Sequence, residues 1–302
     1  MNNPTANPFR QPMQPYSGLE QWSRQVKLPN SEINLFFYDI AAKSRSSILF
    51  LHGLGDEADT WRHVLPLISA DHRCLAPDLP GFGRSDKPDR SYTIPFFVNT
   101  MLELLDSLSI SQAVVVGHST GAIIAHQIAL MHPERVKRLV LIGGSLVSKS
   151  QPINLGLLLF LIPSLGEWSY NRLKKDPQAA YQTLAPYYYD LENLPQADRD
   201  FLFQRVNERV WSSGQRKGFL STLRNLVLWL PGQQKKLPKL LEDWAVPTDV
   251  IWGETDHINP VENAHALIEL MPSARLMIFP NAGHNLQQER SHVVIEVIER
   301  AQ

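Results

Sequence analysis

Residues 113–122, Ala113-Val114-Val115-Val116-Gly117-His118-Ser119-Thr120-Gly121-Ala122, decide the fold. The opening run, AVVV, is apolar and mostly β-branched, which suits a strand covered on both faces. Gly121–Met131 (GAIIAHQIALM) follows with apolar residues at helical spacing, and His132-Pro133 ends it. Between strand and helix lies Gly117-x-Ser119-x-Gly121. A chain that changes from strand to helix in so few residues must turn sharply, so the flanking residues must be small. The turn lifts the Ser119 hydroxyl above the sheet, and the helix N-terminus aims backbone N–H groups at developing negative charge. The bland alternative is a helix N-cap serine. The strand before and the helix after favour a nucleophile.

Working outward, short apolar runs alternate with helical patterns. Ile33–Ile40, Ser47–Leu51, Arg73–Ala76, Leu139–Ile142, Val250–Trp252 and Arg275–Phe279 are predicted strands. Phe96–Leu108, Ala264–Leu270 and Val293–Ile298 are predicted helices. This alternation implies an α/β protein: a mostly parallel sheet flanked by helices. It stops between Ser145 and Trp244, a stretch without a clear strand, rich in Trp and Tyr and punctuated by proline. About four short helices are expected there, inserted between two strands of one sheet. The domain reading is a core of residues 21–144 and 245–302, a helical cap of 145–244, and a flexible or loosely draped arm of 1–20. The arm, MNNPTANPFRQPMQPYSGLE, is too rich in Pro, Asn and Gln to build a packed element.

Composition removes several classes. The 302 residues carry 29 Lys+Arg against 30 Asp+Glu, a net charge of -1, which gives no electrostatic case for nucleic acid. At 43% apolar residues, global disorder is excluded. Cys74 is the single cysteine, so neither a disulfide framework nor a cysteine zinc site is available. No ligand-spaced His cluster and no dinucleotide-binding glycine pattern occurs, so no metal and no cofactor is expected. The most apolar stretch, Ile153–Leu165, is shorter than the roughly 20 residues of a membrane span. Stable membrane insertion is not expected. The N-terminus lacks a secretory pattern, and with the lone cysteine this points to the cytoplasm. Oligomeric state is not legible.

The chain resembles the α/β-hydrolase fold family, and in more than one motif. His52-Gly53-Leu54-Gly55-Asp56 is similar to the family's HGxG oxyanion loop, and Asp78-Leu79-Pro80-Gly81-Phe82-Gly83-Arg84-Ser85 to its D-x-x-G-x-G-x-S stretch. Gly253-Glu254-Thr255-Asp256 resembles the turn that carries the catalytic acid, and Gly283-His284 the catalytic histidine. The order Ser, acid, His along the chain is the family's. The resemblance implies Ser119 as nucleophile, His284 as base and Asp256 as its orienting acid. It implies the backbone N–H groups of Leu54 and Thr120 as oxyanion donors. Rivals have blander readings: Glu254 as a solvated or capping residue, Asp249 as structural, His52 as a loop-shaping side chain. His257 shares the acid's short turn, which places it poorly for a distant serine. His126, His132, His265 and His292 are expected in surface or capping roles.

A small-molecule substrate is expected, roofed by the apolar and aromatic cap. Leu157, Phe160 and Trp168 are the candidate cap contacts, with His118 packed under the turn as a further one. The resemblance favours a serine hydrolase acting on a carboxylic ester through an acyl-enzyme. Carbon–carbon bond, thioester or lactone hydrolysis and cofactor-free perhydrolase or haloperoxidase-like chemistry use the same triad in relatives. A non-catalytic ligand receptor on this fold is the remaining reading.

Overall fold

The computed structural model describes residues 7–40, 46–68, 72–149 and 155–300, without the side chains of 155–157. Eight strands form one sheet in the order β1-β2-β4-β3-β5-β6-β7-β8. They are β1 Ser23–Lys27, β2 Asn34–Ile40, β3 Ser47–Leu51, β4 Arg73–Pro77, β5 Ala113–His118, β6 Val136–Ile142, β7 Thr248–Gly253 and β8 Arg275–Phe279. β2 runs antiparallel to β1 and to β4, and all other neighbours are parallel. The helices are α1 Leu65–Ile68, α2 Ile94–Ser107, α3 Thr120–Met131, α4 Leu155–Leu161, α5 Leu165–Arg172, α6 Pro177–Gln182, α7 Gln196–Trp211, α8 Ser213–Gln234, α9 Leu237–Leu240, α10 Glu262–Leu270, α11 Leu286–Glu289 and α12 Ser291–Glu299.

The continuous apolar runs have the cause expected of them. Successive strand side chains point to opposite faces, and both faces are buried. Val115, Leu139, Leu141, Val250 and Trp252 join a core with α2 and α3. Val114, Val116, Val140, Ile142 and Ile251 join a second core with Trp61 and α12. Cys74 belongs to this second core, and burial pushes its thiol up to about 12. It serves packing.

β1 was not foreseen. Its sequence, SRQVK, has no buried residue, because it is an edge strand held by backbone pairing to β2. Charged residues on such an edge discourage further strands from adding to it. β6 also starts earlier than its apolar run, since Arg138 is buried on Asp249 through bonds of 2.9 and 2.5 Å.

Between β6 and β7 the described residues form helices and no strand. Two of them are long, with α7 spanning 16 residues and α8 spanning 22, where only short helices were expected. Leu202, Val206 and Val210 form the buried stripe of α7, at helical spacing. In α8 the apparent helix breakers have other uses. Gly218 lets the helix approach the Gly81 backbone, where a Cβ would stand 2.7 Å from the carbonyl oxygen, and Pro231 falls in the last turn. The Ile153–Leu165 run breaks at Ser164 (φ 66°), between α4 and α5. Among the described residues no helix is long and apolar enough to cross a membrane. Residues 1–6 of the expected arm lie outside the described residues. Its later part runs along α7, with Phe9 against Phe203, Arg10 over Trp211 and Tyr16 against Phe201.

Candidate active site

The turn after β5 holds Ser119 at φ 55° and ψ −118°, a region that L residues rarely occupy. Such a conformation costs on the order of 1–3 kcal/mol and persists only where neighbours enforce it. They do so here. The Ser119 N–H donates to the Ile142 carbonyl at 2.9 Å. A Cβ at Gly117 would collide with the Gly121 carbonyl, and one at Gly121 with the Leu51 carbonyl. The two glycines thus allow β5, the turn and α3 to close on one another.

The loop after β7 carries Asp256, and the loop after β8 carries His284. His284 Nδ1 lies 2.7 Å from Asp256 Oδ2, and both side chains are buried. Asp256 Oδ1 accepts from the N–H groups of Ile258 (2.9 Å) and Asn259 (2.8 Å). Those two bonds fix the carboxylate, which leaves Oδ2 for the imidazole. His284 Nε2 is buried with no hydrogen-bond partner. Ser119 and His284 line one cavity of about 460 Å³. Leu54 lines it too, and Thr120 opens α3 beside Ser119.

The rival residues fall elsewhere. Glu254 and His257 are exposed, and Asp249 holds Arg138. His52 accepts from the Leu79 N–H through Nε2 (2.8 Å), so its Nδ1 is the protonated nitrogen and donates to the Gly53 carbonyl at 2.8 Å. It pins the loop that contains Leu54. His118 lines the cavity and meets the His284 carbonyl through Nε2 at 3.0 Å. His126 departs from its expected surface or capping role. It is fully buried, its ring edge-on to Trp244, because α3 is apolar on nearly every side.

Of the expected cap contacts, Phe160 lines the cavity. The Leu157 side chain lies outside the described residues. Trp168 is a correction: it is 54% exposed, away from the cavity, with Arg172 over its ring. On α5 the cavity-facing residues are Ser169 and Tyr170, with Leu173 just after its end, so Trp168 falls on the other side of the helix. Tyr170, Tyr187, Phe219, Asp56 and Arg209 also line the cavity; the aromatic composition of the cap is a general signal for the first three, and no motif marks Asp56 or Arg209.

The buried imidazoles carry a stability prediction. Burial lowers His52, and lowers both His118 and His126 to about 3. In the unfolded chain each takes up a proton near pH 6.5. Below that pH the unfolded state binds more protons, so stability falls as pH falls from about 6.5 toward 3. Glu57 has the opposite sign: burial raises it to about 7 from 4.5, so it adds stability as pH falls through that window. For His118, His126 and Glu57 the net is one proton, a slope of about 1.4 kcal/mol per pH unit between 6.5 and 4.5, and His52 acts in the same direction. Urea unfolding at pH 6 and pH 5 should show that loss, and His126→Leu should reduce its slope by about 1.4 kcal/mol per pH unit. Equal stability at the two pH values would mean that the imidazoles are not held neutral.

Comparison with known proteins agrees with this architecture. The chain is 30% identical over 270 residues to an uncharacterised protein of Mycobacterium tuberculosis (strain ATCC 25618 / H37Rv), covering 86% of this chain and 76% of that one. It is 30% identical over 258 residues to 2-hydroxymuconate semialdehyde hydrolase of Pseudomonas sp. (strain CF600), covering 81% and 82%. A solved meta-cleavage product hydrolase of Pseudomonas fluorescens IP01 superposes with a TM-score of 0.75 at 23% identity, over 92% of this chain and 98% of that one. The model of the α/β hydrolase fold matches residues 47–291, and the chain belongs to that family.

Proposed function

We propose that the protein hydrolyses a carboxylic ester with a small to medium, largely apolar acyl group, through an acyl-enzyme on Ser119. The observation that carries this reading is His284, bonded to the buried Asp256, lining the same cavity as a strained Ser119. A serine hydroxyl is a poor nucleophile at neutral pH unless a base takes its proton. His284 Nε2 is the base, and its lack of another partner leaves its lone pair free for that proton. The hydrogen bond between the two forms as substrate seats. Asp256 keeps the other proton on Nδ1 and stabilises the imidazolium. The carbonyl oxygen becomes an oxyanion, held by the N–H groups of Leu54 and Thr120. One such donor contributes about 3–4 kcal/mol in the transition state. His284 then protonates the leaving alcohol, and water releases the acid by the reverse sequence.

Phe160, Tyr170, Leu173, Leu184, Val210 and Phe219 give the cavity apolar walls. Each buried methylene of an acyl chain gains about 0.8 kcal/mol. A panel of p-nitrophenyl esters from acetate to dodecanoate tests the reading, with the corresponding thioesters and lactones beside it. Hexanoate should exceed acetate in kcat/KM. Phe160→Ala should raise KM for hexanoate about tenfold and spare acetate, whereas Trp168→Ala should change neither. Equal effects of the two substitutions would place α4 away from the acyl chain.

Carbon–carbon bond hydrolysis is the second reading. It is favoured by the likeness to 2-hydroxymuconate semialdehyde hydrolase over most of both chains. Turnover of 2-hydroxymuconate semialdehyde without turnover of any ester would establish it in place of the first.

A further inference from the structure

Arg209, on α7, is the one Arg or Lys among the described residues that line the cavity. A guanidinium in a substrate cavity is an obvious receptor for a substrate carboxylate. Its surroundings show a different use. Arg209 Nε donates to Glu57 Oε2 at 2.7 Å, and Nη2 donates to Glu57 Oε1 at 2.6 Å and to Asp56. All three side chains are largely or fully buried. Burial pushes the Asp56 carboxyl up, and the Arg209 guanidinium more than offsets it, so the group is lowered and stays charged.

Asp56 and Glu57 follow Leu54 by two and three residues, on the loop that supplies an oxyanion donor. Other residues of the inserted helices hold the same loop. Gln215 Nε2 donates to the Gly55 carbonyl at 3.4 Å, and its Oε1 accepts from the Gly83 N–H at 3.1 Å. The Phe219 ring lies over Gly55, which takes φ +77°. Arg205 reaches Asp59 at 2.9 Å.

We infer that Arg209 is a positioning residue that ties α7 to the oxyanion loop through Asp56 and Glu57, and that the cavity therefore selects uncharged acyl groups over those ending in a carboxylate. The inference rests on the proposed ester hydrolysis for its kinetic arm only. A substrate carboxylate near Arg209 would sit beside the Asp56 carboxylate, which also lines the cavity, and meet like-charge repulsion. The guanidinium's charge is already shared between two acids.

The test compares two esters of equal acyl length, p-nitrophenyl pentanoate and mono-p-nitrophenyl glutarate. The wild type should prefer pentanoate by about 100-fold in kcat/KM. Asp56→Asn should raise the glutarate rate about tenfold, since it removes the repelling charge and keeps the side-chain volume. Arg209→Met should lower kcat about 30-fold for pentanoate and acetate alike, with KM nearly unchanged, and Arg209→Lys should recover part of the loss. A wild-type preference for the glutarate ester, or an Arg209→Met defect confined to KM for that ester, would make Arg209 an anion receptor and overturn the inference.

A binding arm separates this outcome from failure of the ester reading. Ser119→Ala protein is titrated calorimetrically with N-phenylpentanamide and with N-phenylglutaramate. Neutral over anionic by tenfold or more supports the selection even if no ester turns over. Tighter binding of the anion, or binding of neither, overturns it.

Discussion

Ser119→Ala is expected to lower kcat on p-nitrophenyl hexanoate by about 10⁴–10⁶-fold while leaving the fold intact. In serine-triad enzymes the nucleophile and base act as a unit, and losing either costs nearly as much as losing both. What survives is the background given by the oxyanion donors and binding. The substitution is a clean probe here for structural reasons. The Ser119 backbone is held by its own N–H on the Ile142 carbonyl and by the small contacts of Gly117 and Gly121. None of these needs the hydroxyl. Alanine bears the same Cβ and suffers the same positive φ, so the strain of the turn is carried over rather than relieved. The midpoint of thermal unfolding should stay within a few degrees of wild type. An organophosphonate that modifies the wild type should leave the variant unlabelled. A variant that keeps its full rate would move the nucleophile away from Ser119 and remove the proposed mechanism.

What the sequence made legible follows from where each signal is local. Gly117-x-Ser119-x-Gly121 is readable because a steric demand within five residues fixes all three identities. The buried strands are readable because both faces are covered, so nearly every position is apolar, the buried Arg138–Asp249 pair being an exception. β1 lacks that requirement: at the sheet's edge, Ser23–Lys27 contributes backbone hydrogen bonds and no fully buried residue. Asp256 and His284 were placed by family likeness and chain order. Their approach to 2.7 Å is a property of two loops at the ends of neighbouring strands.

Cap residues were the least legible, for a reason of phase. An aromatic residue on a short helix can face either way, and Trp168 and Tyr170 differ by two positions and take opposite environments. Arg209 was invisible for another reason. A lone arginine on a polar helix is ordinarily a solvated one, and its partner Glu57 lies 152 residues earlier in the chain. Only the docking of α7 over the loop after β3 brings the two together. His126 is a milder case of the same thing: a polar residue on a helix whose burial comes from neighbours far away in sequence.

Asp256→Asn should lower kcat by about 10⁴-fold with KM little changed, while Glu254→Gln stays close to wild type. The hydrogen bonds give the reason. Asp256 Oδ1 accepts from the N–H groups of Ile258 and Asn259, and an asparagine carbonyl oxygen can take over both bonds. The asparagine NH₂ must then face His284 Nδ1. That atom can accept from the amide only when its own proton is gone, so the ring's proton moves to Nε2. Nε2 is the atom that must receive the serine proton, and in this tautomer it has no lone pair to do so. The imidazolium also loses the carboxylate that stabilises it. Ground-state binding of an apolar acyl group involves neither effect, which is why KM is spared. Glu254 is exposed, and its change alters only solvated charge. Steady-state kinetics on one ester with the two variants decide the point: a larger loss from Glu254→Gln would transfer the orienting role to Glu254.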